Sequence, residues 1–189
     1  MSGGSALPAE NRWVFLIDPA WQEQGGDPRQ PPRQAVVGGW LVEADGTTGR
    51  FHANPDYVPS GPDSPTDPVD ATLRLVNKGE AGTEALLATL REAEFGIAVD
   101  EENNPVVAPA PDGVASMLVT TAPAHRHRVR VAGWRAATAA ELVAELPEEG
   151  VDVLINPGAP ASMRILAAAL KRPRPDAAFR GSVPPGTGP

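Results

Sequence analysis

Three histidines, His52, His125 and His127, are the side chains in this sequence best suited to hold a metal ion or move a proton near neutral pH. His125 and His127 alternate around Arg126, so on a strand their rings would share one face, with His52 or a distant carboxylate as the third ligand. Arg126, Arg128 and Arg130 would repel a cation at that place, and a solvated basic edge is the plainer reading. The run Asp100-Glu101-Glu102 could ligate calcium, but a hairpin tip needs polar residues for its own sake. Nucleophilic chemistry fares worse, because the chain has no cysteine and no serine in a GxSxG elbow. It has neither GxxxxGK[ST] nor GxGxxG, and Gly38-Gly39 falls inside a strand, where it permits close packing. No catalytic residue, metal or cofactor is therefore assigned, and the chain is expected not to be an enzyme; a His-dependent metal enzyme is the weakest alternative.

Two stretches fit binding better. Trp40, Phe51, Asn54, Pro55, Tyr57 and Pro59 place aromatic rings beside rigid prolines, the makings of a low-entropy surface that can hold a protein partner. The same rings could instead pack onto the underlying sheet. Asn156-Pro157-Gly158 forms a strand-to-helix turn that could add a second contact surface or, at a helix N-terminus, receive an anion. Asn156 or Ser162 could equally cap that helix locally.

The elements that must position these residues can be read from periodicity and punctuation. Trp13–Ile17 reads as a buried strand stopped by Asp18-Pro19, Gln22–Arg33 as an exposed loop, and Ala35–Val42 and Gly49–His52 as two further strands of an antiparallel sheet. Residues 53–68 hold five prolines and form a connector. Asp67 and Pro68 open a helix with Val69, Leu73 and Val76 on one face and Gly79 at its end; a second helix spans Thr83–Ala93. Gly96–Val99 and Pro105–Ala108 read as a hairpin, followed by strands at Val114–Val119 and Val129–Trp134. Thr138 and Glu141 have capping-box spacing ahead of a short helix, Val151–Ile155 is a strand, and a helix is expected from about Ser162 to Leu170. The sum is an α+β fold: a mixed or antiparallel sheet with helices packed on it, a proline-rich connector and a disordered C-terminal tail.

Composition sets the outer limits. The 189 residues carry 16 Lys+Arg against 24 Asp+Glu, a net charge of −8, which opposes nucleic acid and anionic lipid as partners. The charge is uneven, with 7 basic and 18 acidic groups up to residue 124 and 9 basic and 6 acidic beyond it. Twenty-two prolines and 19 glycines predict long irregular connections, while the lack of cysteine, of an export signal and of a long apolar run makes a cytoplasmic address the simplest expectation.

Trp13–Trp21, Val36–Trp40, Phe51–Ser60 and Ser64–Ala71 together resemble actinobacterial proteins associated with type VII secretion. The segment from about 69 to 170, Val151–Ser162 above all, looks like the N-terminal domain of the SseB, or enhanced-serine-sensitivity, family, in which an apolar strand enters an Asn-Pro-Gly turn. Composition makes 1–11 a flexible arm and 172–189 a disordered tail; between them, the strands and the resemblance set an N-terminal β subdomain at 12–63 and an SseB-like α+β domain at 64–171. The resemblance also implies an accessory or adaptor protein that binds a secretion-apparatus component or substrate. The WxG hairpin and YxxxD tail of exported substrates are missing, which favours accessory over cargo. An immunity or toxin-neutralising protein, whose acidic part covers a basic partner, is the alternative.

Overall fold

The computed structural model describes residues 10–23, 27 and 30–172. The arm up to residue 9 and the tail from 173 lie outside these, as do residues 24–26, 28 and 29 of the expected loop. The molecule is α+β, with a three-stranded antiparallel sheet followed by a larger mixed sheet.

The small sheet runs β1 (Arg12–Ile17), β2 (Val36–Val42) and β3 (Thr48–Ala53), in that spatial order. Between β1 and β2, a short helix α1 (Pro19–Glu23) replaces the start of the expected loop, because Pro19 fits a first helical turn and Asp18 Oδ1 accepts the Ala20 N–H at 3.0 Å. A 3₁₀ turn at Arg33–Ala35 leads into β2. In the register, Phe15 lies opposite Gly39 and Trp40 opposite Phe51. The two glycines allow close approach: a Cβ on Gly38 would fall 2.3 Å from the His52 carbonyl oxygen, and one on Gly39 would fall 2.8 Å from both the Phe15 ring and the Val14 carbonyl.

The larger unit begins at α2 (Pro68–Asn77), whose Asp67 cap accepts the Val69 and Asp70 N–H groups at 2.8 and 3.1 Å. It ends at Gly79, with φ +75°. Next come α3 (Thr83–Glu92), β4 (Glu94–Val99), β5 (Val107–Pro109), β6 (Ala115–Thr120), β7 (Gly133–Thr138), α4 (Ala139–Glu145), β8 (Asp152–Ile155), β9 (Met163–Ile165) and α5 (Ala167–Leu170). The strand order is β7-β4-β6-β8-β9, with β5 also pairing to β6; β6 and β8 are parallel and the other pairs antiparallel.

Alternation assigns the faces. Phe95, Ile97, Met117, Val119, Val153 and Ile155 meet Val69, Leu73, Leu86, Leu90 and Leu142 of the helices in the main core. Each fully buried aliphatic side chain of that kind contributes about 1.5–3 kcal/mol. Ala98, Leu118 and Leu154 face the other way, under Val129, Val131 and Trp134. Among the described residues, neither apolar cluster includes a residue of β1–β3. An Arg50–Glu94 ion pair at 3.0 Å ties the small sheet to β4, and hydrogen bonds around Asp18 and Tyr57 tie it to Ser64 and Pro65 of the connector.

Three expected elements differ. His125 and His127 sit in a 3₁₀ turn, Pro123–Arg128, instead of on a strand, and the strand expected at Val129–Trp134 begins at Gly133. Pro123 starts the turn, and Val129 and Val131 pack on the outer face. The helix expected over 162–170 is β9 followed by only four helical residues. There Met163 and Ile165 alternate with Arg164 at the period of a strand, and Asp152 of β8 holds Arg164 and accepts the Ala167 N–H at 2.8 Å. The expected hairpin closes through a Val99–Pro105 bridge, the Val106 N–H to the Ala98 carbonyl at 2.8 Å and the Asp100 N–H to the Asn104 carbonyl at 3.0 Å; from Val107 the chain pairs with β6.

Candidate functional site: an aromatic groove on the small sheet

Among the described residues, the most exposed aromatic ones are those the sequence reading buried. Trp13 and Phe15, two apart on β1, point to one face and remain 48% and 54% exposed. Their rings stack with centroids 6.2 Å apart and planes 7° from parallel, and His52 meets Trp13 edge-on at 5.4 Å. Because Gly39 puts no side chain on that face, the Phe15 ring lies against the strand at the edge of a trench. The resulting groove of about 660 Å³ is lined by Trp13, Phe15, Ile17, Gly39 and His52 on the sheet, with Pro31, Arg33, Asn54 and Pro55 at its border.

The frame around it is tied by polar contacts. The Asn54 amide donates to the Arg33 and Val36 carbonyls at 2.7 and 2.8 Å, and its oxygen accepts the Asp56 N–H at 3.1 Å, so Asn54 fixes the wall and does not reach outward. Arg33 pairs with Asp56 at 2.9 Å. Behind this wall, fully buried Asp18 accepts the Ser64 hydroxyl at 2.7 Å, the Ser60 N–H at 2.8 Å and the Tyr57 hydroxyl at 3.3 Å. Burial works to raise the Asp18 pKa, but the bonds from Ser60, Ser64 and Ala20 outweigh it and hold the carboxyl below its ordinary range. Burial, then the Asp18 charge, pushes the Tyr57 phenol well above its usual value, and Tyr57 stays a neutral donor, also reaching the Pro65 carbonyl at 2.8 Å.

The other expected binding residues are distributed differently. Trp40 and Phe51 are half-buried against each other, centroids 4.9 Å apart, on the face opposite Trp13 and Phe15. Pro55 borders the groove, and Pro59 is exposed beyond it. Asn156 and Pro157 are buried and offer no surface; only Gly158 of that turn is exposed. Asn156, at φ +50°, caps no helix: its side-chain oxygen accepts the Thr121 N–H at 2.9 Å and its amide donates to the Thr121 hydroxyl at 2.9 Å.

Asn156 belongs to a second polar cluster, at the carboxyl ends of β6 and β8. Asp67 Oδ2 accepts the Thr121 hydroxyl at 2.7 Å and the Thr66 hydroxyl at 2.8 Å. Since Thr66 spends its proton there, His125 Nε2, 2.7 Å from Thr66 Oγ1, is the donor in that contact. Burial lowers the His125 pKa against the opposing charges of Asp70 and Asp67, and burial raises that of Asp67 against its hydrogen bonds. Asp70 Oδ2 accepts the Thr66 N–H and Arg74 Nε at 3.0 and 3.1 Å. With His125, Asp67, Asp70 and Asn156 all buried and bonded within the cluster, its work is to fasten the start of α2 to the ends of two strands. The three histidines do not converge: His52 lies against Trp13, His125 is buried on Thr66 and His127 is exposed. Among the described residues no group of three or more His, Asp or Glu could hold a metal ion, and no helix is long and apolar enough to cross a membrane.

Sequence reasoning missed Trp13 and Phe15 because an unbroken apolar run reads as a strand covered on both faces. A signal was available in Gly38-Gly39: consecutive glycines in the neighbouring strand make room on both sheet faces for aromatic rings placed opposite. Comparison with protein-family models, with curated proteins and with solved structures finds no match.

Proposed function

We propose that this chain is a non-enzymatic accessory or adaptor protein, cytoplasmic, of the kind its sequence resembles in type VII secretion, and that it holds a protein partner in the groove of the small sheet. The observation that carries this reading is the exposed, stacked Trp13–Phe15 pair, with the Phe15 ring seated on Gly39. Two preordered rings lose little entropy on contact, and aromatic anchors of this kind dominate binding energy at protein interfaces. The Asn54 and Asp18 contacts support the same reading, since they set the groove wall before any partner arrives.

The test is quantitative capture of partners by the full chain, compared with the Trp13→Ala/Phe15→Ala double variant. Both side chains are half exposed, so the variant should unfold at nearly the same temperature as the parent while losing a specific partner. Capture that the variant leaves unchanged, or that Trp40→Ala abolishes and Trp13→Ala does not, removes the groove from this role.

A further inference from the structure

We propose that the turn at residues 123–130 is a docking surface for a carboxylate-rich segment of a partner protein, separate from the aromatic groove. The turn leaves β6 and crosses the outer face of the larger sheet. Arg126 lies there with its guanidinium carbon 5.8 Å from the centre of the Trp134 ring. A Cβ on Gly96 would fall 3.1 Å from Nη2 and 3.3 Å from Nε, so the bare glycine is what lets the guanidinium rest on the sheet. Its Nε is buried and has no hydrogen-bond partner. Arg128, exposed, uses one N–H on the Gly158 carbonyl at 3.3 Å, and Arg130 and His127 of the same segment are exposed as well.

Arg33, Arg50, Arg74, Arg135 and Arg164 each have a carboxylate within 4.0 Å. Among the described residues, Arg126, Arg128 and Arg130 have none, in a chain with a net charge of −8. Arg12, Arg91 and Arg172 also lack a carboxylate within 4.0 Å, and what sets this strip, residues 126–130, apart is the run of three such arginines in one segment. Three guanidiniums within one short segment, none of them paired, give a local cationic surface, bordered at Arg130 by Asp100 and Glu101, whose complement is a short acidic segment. Guanidinium forks suit that partner, since each can take a carboxylate through two parallel N–H bonds, and stacking on Trp134 preorders one of them. Nucleic acid fits less well, because Trp134 has its ring under Arg126 instead of open to a base.

The probe is a fluorescein-labelled oligoglutamate peptide, titrated with the full chain and followed by anisotropy. Binding at low salt that disappears at high salt is expected, as is a loss of about tenfold or more in affinity for Arg128→Gln/Arg130→Gln, two exposed positions whose replacement leaves the fold intact. Arg126→Gln should weaken binding as well, whereas Trp13→Ala in the groove and Lys78→Gln at the far end of α2 should leave it unchanged. No binding at low salt, equal weakening by Lys78→Gln, or an undiminished double variant overturns the proposal. Tighter binding of an oligothymidylate of the same length also overturns it and assigns the strip to nucleic acid.

Discussion

At the scale of single residues, the position of Asp18 shows how a buried carboxylate can organise a surface it does not touch. It closes β1, starts α1 and gathers Ser60, Ser64 and Tyr57 from the connector, so the groove wall depends on it. Asp18→Asn keeps the shape but weakens charge-assisted bonds, and the expected cost is about 2 kcal/mol in chemical denaturation. The pH dependence has a definite sign. With its folded pKa below the ordinary 3.8, Asp18 contributes stability that is complete above that value and is lost as pH falls through it. The variant should therefore lose part of the parent's acid sensitivity below about pH 4, measured as the denaturation midpoint at successive pH values. An unchanged acid limb would mean the carboxylate is not held as the bonds imply.

At the scale of elements, the junction of α2 with the ends of β6 and β8 rests on His125, Thr66, Asp67, Thr121 and Asn156. Burial holds the folded His125 pKa below 6.5, so the unfolded chain takes up a proton first and stability falls as pH drops below that value. Asp67 and Asp70 face the ring from α2 and its cap, and Arg128 and Arg74 oppose them. His125→Gln keeps a donor for Thr66 and should flatten the stability profile as pH falls below about 6.5, while leaving the limb near pH 4 in place. Much of this level was legible in the sequence: the Asp67-Pro68 start of α2, the Thr138–Glu141 capping box and the β8 run are local signals, and the structure has all three. What was not legible was decided by tertiary pairing. Residues 163–165 are a strand because β8 has an edge to fill, and the segment after Pro123 is a turn because Val129 and Val131 cover a sheet face. The candidate site was half legible: the aromatic and proline composition pointed to the small sheet, but only the register tells which rings, Trp13 and Phe15 or Trp40 and Phe51, stand out from it.

At the scale of the whole molecule, two sheets with unequal cores share one chain. The larger sheet is covered by helices on one face and by Val129 and Val131, which follow the 3₁₀ turn, on the other, whereas β1–β3 contribute to neither apolar cluster among the described residues. Native-state hydrogen exchange should therefore be slowest at amides of Ile97, Leu118, Val119 and Leu154, and faster across β1–β3, which opens without disturbing the main core. Uniform protection over both sheets would contradict that order. This arrangement suits an adaptor, since a surface with modest stability of its own can settle on a partner while the larger unit stays folded. The claim that matters most is that the Trp13–Phe15 face is where the partner sits. Its most direct test is site-specific photo-crosslinking in cells of origin, with a benzoylphenylalanine placed at Phe15 and, as a control on another exposed apolar position, at Leu75 of α2. A discrete protein adduct from position 15 and none from position 75 is the predicted result; an adduct from position 75 with none from position 15 would contradict it.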